Sequence, residues 1–125
     1  MRTLAWAIVV FLAWPATAQA CRCATDAPFE EASQAKPIIV RARVLAHGDV
    51  TGGIATSMTL GIAQVLKGEV RGPRMKVWGD PGNLCRPYVS RFPVGTEWIF
   101  AIDHRSAISI CGVHWLRVEA GGAPR

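Results

Sequence analysis

The sequence predicts an all-β domain with one short N-terminal helix, its five antiparallel strands curled into a small closed barrel and stapled by two disulfides. Three observations predict it. Stretches that alternate apolar and polar residues recur after residue 37, and no helical pattern lies between them to make a parallel crossover. Gly61 interrupts one of these stretches, as the bend of a barrel strand requires. The 125 residues hold four cysteines, an even count that reads as a disulfide framework in a short exported chain. A five-stranded sandwich has the same periodicity, and the pattern alone does not separate the two.

The chain opens with "MRTLAWAIVVFLAWPATAQA". Arg2 gives a positive start, Leu4 to Trp14 is apolar, Pro15 breaks the run, and Ala18-Gln19-Ala20 is a small-x-small cleavage site. This is the three-part pattern of a secretory signal peptide over residues 1–20. A membrane-spanning helix needs about 20 apolar residues, more than this run supplies. Cleavage after Ala20 leaves one domain, residues 21–125, secreted or periplasmic, with Cys21 at its head.

The formal net charge is +5. The basic residues are scattered, and the densest stretch, Lys67 to Lys76, is broken by Glu69, Gly72 and Pro73. That describes a mildly basic soluble surface and excludes nucleic acid as an expected partner.

"TDAPFEEASQAK" predicts a short helix, with Asp26 as cap, Pro28 in the first turn, and Glu30 and Glu31 at the positive end of the dipole. Phe29 and Ala32 share a face, and Pro37 ends the helix. "PIIVRARVLAHG" has period two: Ile38, Val40, Ala42, Val44 and Ala46 on one side, Ile39, Arg41, Arg43 and Leu45 on the other. "HGDVTGG" is a turn-rich connection to a second strand, "TSMTLGIAQVL", with Met58, Leu60 and Ile62 on one face. "RMKVWG" is the third strand. Residues 79–95, rich in proline and glycine, form a long irregular loop. "TEWIFAID" is the fourth strand, with Trp98, Phe100 and Ile102 together. "ISICGVHWLRVE" is the fifth, bent at Gly112, and a loose tail follows from about residue 119.

Cys21 and Cys23 stand one residue apart at the new N-terminus; Cys85 and Cys111 follow far behind. A Cys21–Cys23 bridge closes a tiny strained ring and is discounted. Both remaining pairings tie the N-terminus to the body at two points. In extended chain the two cysteines share a face and Arg22 takes the other. Structural zinc and redox centres favour CxxC pairs over CxC, so neither is expected.

A clamped N-terminus has a chemical use. The α-amine and carbonyl of one residue close a five-membered chelate ring on a metal. That amine titrates at about 7.7–8.0, so a metal displaces its proton easily near neutral pH. A rigid chain end loses little entropy on binding. It can fill the open position of a partner's catalytic zinc and displace the reactive water.

An N-terminal Cys-x-Cys, a short helix, "IIVRARVL", "VLKGEV", a lone Cys85, "FPVGTEWIFA" and a late Cys111 follow in order. Over residues 21–118 this resembles the bacterial members of the tissue inhibitor of metalloproteinases family, whose fold is the netrin-like variant of the OB barrel. The resemblance implies bridges Cys21–Cys85 and Cys23–Cys111. It implies that the main chain of Cys21 ligates the zinc of a partner protease. It also implies an inhibitory ridge of Cys21, Arg22, Cys23 and Ala24, with Asn83 and Leu84 beside it. The family's animal members carry a small Thr or Ser where this chain has Arg22. An arginine needs an acidic or open pocket, because burying its charge unpaired is costly. The alternative role is a non-inhibitory extracytoplasmic binding or structural module whose bridges only stabilise it.

A lipoprotein reading of "AQAC" would cap the thiol and amine of Cys21 and bring the chain to a membrane, leaving an odd thiol. His47, His104 and His114 lack ligand-like spacing and read as surface residues. No serine sits in a nucleophile elbow. Trp78, Trp98 and Trp115 read as core or rim packing. The expectation is a binding protein without catalytic residues or cofactor, its partner a zinc metalloproteinase or another extracytoplasmic protein.

Overall fold

The computed structural model describes residues 21–119. The expected signal peptide, residues 1–20, and all but the first residue of the expected tail lie outside them. A short helix α1 (Phe29–Ala32) runs into a 3-10 turn (Ser33–Ala35). Five strands follow, β1 (Ile38–Thr51), β2 (Ile54–Lys67), β3 (Arg74–Trp78), β4 (Glu97–Ile102) and β5 (Trp115–Val118). They form one antiparallel sheet in the order β3-β2-β1-β4-β5.

The sheet is not closed, which corrects the expected barrel. β3 and β5 are its edges; among the described residues, the end of β3 makes a parallel bridge from Trp78 to Ala107, in the connection that precedes β5. There the Trp78 amide donates to the Ser106 carbonyl at 2.8 Å. Closure fails because β5 is short. The alternation of "ISICGVHWLRVE" suggests a strand from Ile108 onward, but residues 108–114 are not in strand. Cys111 is drawn to the N-terminal segment by a disulfide, and Gly112 turns at φ 93°.

β1 and β2 make a long hairpin closed by Gly52 and Gly53 at φ 58° and 79°, the left-handed pair of a tight two-residue turn. Most of the expected connection "HGDVTGG" is therefore strand. Asp49 pins the hairpin: its Oδ2 accepts from the Ser57 hydroxyl at 2.5 Å and from Lys76 on β3 at 2.9 Å. The pairing shifts register between Val44 and Ala46, leaving Leu45 as a bulge. That bulge reverses the alternation, so Val40, Ala42 and Val44 are buried while Ala46 is exposed. Gly61 leaves room for the displaced Leu45, whose Cδ1 would lie 3.1 Å from any Cβ there.

The core buries Val40, Val44, Met58, Leu60, Val77, Phe100 and Ile102 almost completely. Each such side chain contributes roughly 1.5–3 kcal/mol through burial. The loop at 79–95 is not a surface connection only. A 3-10 turn (Val89–Arg91) carries Val89 and Phe92 into this core, and Phe92 meets the rings of Trp98, Phe100 and Trp115 edge-on. Helix α1 starts two residues later than expected: Pro28 is its N-cap, without a side-chain cap bond, and Asp26 does not cap it.

Candidate functional site

The N-terminal segment lies against two loops. Cys21 bonds to Cys85 across 5.5 Å between Cα atoms, and Cys23 to Cys111 across 5.0 Å. Hydrogen bonds continue the contact: Ile110 N–H donates to the Cys85 carbonyl at 3.2 Å, and Val113 N–H to the Ala27 carbonyl at 2.9 Å. Residues 83–85, 110–113 and 21–27 thus form one surface. Cys21, Arg22, Cys23 and Ala24 are all exposed on it, as are Asn83 and Leu84. Leu84 keeps 49% of its surface, and Ile110 and Val113 add apolar exposure nearby in the chain.

Asp80 shapes the loop that carries Asn83 and Leu84. Its buried carboxylate accepts the amides of Gly82 at 2.7 Å and Leu84 at 3.1 Å. Burial alone would raise its pKa, but hydrogen bonds from the amides of Leu84, Gly82, Asn83 and Arg86 outweigh it and hold the carboxyl below the ordinary carboxylate value. Asp80 is not among the site residues expected from the sequence. The signal was "DPGN", a turn in which an aspartate caps the amide two residues on.

Gly112 sets the other loop. A Cβ on it would come within 3.1 Å of Ala32 Cβ and 3.4 Å of the Ala27 carbonyl oxygen. The close approach seats the Cys111 loop on the α1 end. His114, expected on the surface, is 2% exposed. Its Nδ1 lies 3.1 Å from each of the carbonyls of Ser109 and Gly112, which makes it the protonated nitrogen. Burial, then the nearby Lys36 charge, pulls its pKa below the ordinary value against three backbone carbonyls. The imidazole is a structural pin beneath Cys111.

Elsewhere, His47 bonds the Phe92 carbonyl through Nε2 at 2.8 Å and His104 is exposed. Trp98 is buried, Trp115 packs against the core, and Trp78 is partly exposed beneath Lys76. The four cysteines are all in disulfides, the state of an oxidising compartment outside the cytosol. Among the described residues no helix is long and apolar enough to cross a membrane.

Comparison with family models, with curated proteins and with solved structures finds no match to this chain.

Proposed function

We propose that this chain is an exported binding protein of the netrin-like, OB type, cleaved after Ala20, that inhibits a zinc metalloproteinase by laying the Cys21 amine and carbonyl on its catalytic zinc. The observation that carries the reading is the double clamp. Both half-cystines of the Cys-x-Cys are tied down within three residues, yet the segment stays exposed beside Asn83 and Leu84. A fixed, accessible chain end is what chelation of a partner's metal requires. The strand order supports the OB assignment, because it leaves β3 and β5 as the two edges that would meet at the seam of such a barrel, and the Trp78–Ala107 bridge brings the connection before β5 to the β3 edge.

Arg22 favours a partner whose pocket is acidic or open, and it also gives weight to the second reading, a module whose bridges only stabilise the fold. One experiment separates them. The mature chain starting at Cys21, and the same chain with one Ala added before it, are assayed against a panel of zinc metalloproteinases. Inhibition by the first and its loss in the second supports chelation. Equal potency of the two, or no inhibition across the panel by the first, rejects it.

A further inference from the structure

We propose that the end of the sheet remote from the cysteines holds a small oxyanion site, for a carboxylate or phosphate group, between Arg43 and Arg117. This reading is independent of the protease reading. A cavity of about 220 Å³ is lined by Arg43, Gly95, Thr96, Glu97, Arg117 and Val118. It lies where β4 begins, whereas the Cys111 loop meets β4 near its other end, where the Ala101 amide donates to the His114 carbonyl.

Both guanidinium groups are held in place before any ligand arrives. Arg43 donates through Nη1 to the Gly95 carbonyl at 3.1 Å, and that carbonyl belongs to the cavity wall. Arg117 stacks over the Trp98 ring, 5.3 Å from its centroid. Trp98 is itself fixed, since its indole N–H donates to Thr96 Oγ1 at 2.7 Å and that hydroxyl donates on to the Pro93 carbonyl at 2.6 Å. Stacking occupies the face of a guanidinium and leaves its N–H edge available, which is the edge that grips a planar or tetrahedral oxyanion.

Glu97 is the acid in the wall, and its charge is already engaged. Arg41 donates through Nε to its Oε1 at 2.7 Å, and Arg43 Nη2 stands 4.0 Å from Oε2. Arg43 and Arg117 line the cavity against this one carboxylate, which Arg41 pairs from outside the wall, so the wall is positive. The cavity is too small for a folded element and large enough for one anionic group, whether free or on the end of a peptide or sugar.

The test uses the oxidised protein, 15N-labelled, titrated separately with inorganic phosphate and with acetate at constant ionic strength. The expected result is saturable shifts confined to Gly95, Thr96, Glu97, Arg117 and the Trp98 indole N–H for at least one anion. Arg43→Gln and Arg117→Gln should each weaken binding about fivefold or more, and Arg117→Lys should restore it only in part, because it keeps charge but not the fork. Saturation with phosphate alone identifies a phosphoryl ligand, and with acetate a carboxylate. Shifts that do not saturate, that spread over all basic residues, or that survive both Gln variants overturn the proposal. Unchanged amide spectra elsewhere in the variants keep loss of fold out of the comparison.

Discussion

The carboxylate of Asp80 holds the amide of Leu84 at 3.1 Å and so fixes the loop that ends at Cys85. A buried acceptor supports an exposed apolar side chain and, one residue on, a bridge to the N-terminus. Asp80→Ala leaves the amides of Gly82 and Leu84 without this acceptor. The expected cost is about 1–3 kcal/mol in urea unfolding with the bridges intact. Faster amide exchange at Gly82 and Leu84, with β1 and β4 amides unchanged, is the local signature. Equal exchange in both proteins would show that the disulfide alone orders the loop.

Phe92 is fully buried, and its ring lies edge-on at 5.1 Å from both Trp98 and Phe100 and 5.5 Å from Trp115. It comes from a loop, so backbone hydrogen bonding alone gives no hint of its weight. Phe92→Ala should cost about 3–5 kcal/mol, as large core truncations do. Phe92→Leu should cost much less and keep a single cooperative transition. The check is a pair of denaturant curves. A cost below about 1 kcal/mol for the Ala variant would mean that the loop is not part of the core.

What the sequence disclosed follows from which forces are local. The faces of β1, β2 and β4 were legible because Val40, Val44, Met58, Leu60, Phe100 and Ile102 alternate at period two, and each is buried. The reversal at Ala46 was not, because a bulge such as Leu45 is set by the pairing of two strands and leaves no mark in one. Nor was the short β5. Its apparent first half alternates well, but a disulfide and the Gly112 turn bind it to residues far away in sequence. The burial of Phe92 and His114 was missed for the same reason. The exposed Cys21–Ala24 segment was legible through its cysteines; the Asp80 support under Asn83 and Leu84 was written in a turn motif read only as a loop.

The bridges close loops of 64 and 88 residues by sequence separation. Each alone would lower the entropy of the unfolded chain by about 4 kcal/mol equivalent, less for the second once the first is formed. The Cys23→Ser, Cys111→Ser pair should lose about 2–4 kcal/mol yet stay folded, because neither cysteine belongs to the hydrophobic core cluster. Removing all four cysteines should lose more and free residues 21–26 to exchange fast. Non-reducing urea curves and amide exchange measure both. A double variant as stable as the parent would deny the clamp any role in folding.

His114 makes stability depend on pH. The buried imidazole donates from Nδ1 to two carbonyls, and burial, with Lys36 adding to it, pulls its pKa below the ordinary 6.5. The unfolded chain therefore takes up a proton at a higher pH than the folded chain. Stability from this group is complete above about pH 6.5 and declines as pH falls through that value toward the lower folded pKa. Asp80 and Asp49, whose carboxyls sit below the ordinary 3.8, contribute stability that is lost only at more acid pH, so the two windows separate. Unfolding free energy measured at about pH 7.5 and about pH 5 should drop in the parent. In His114→Gln the absolute stability should be lower at both values and the drop smaller. The drop matters for the N-terminal surface because Ser109 and Gly112, the two acceptors, flank Cys111. Amide exchange at Cys111 and Val113 should rise in the parent at the lower pH, beyond the change in intrinsic rate. If the parent and His114→Gln lose the same free energy over this interval, the proton is taken up elsewhere and His114 is a pH-independent pin.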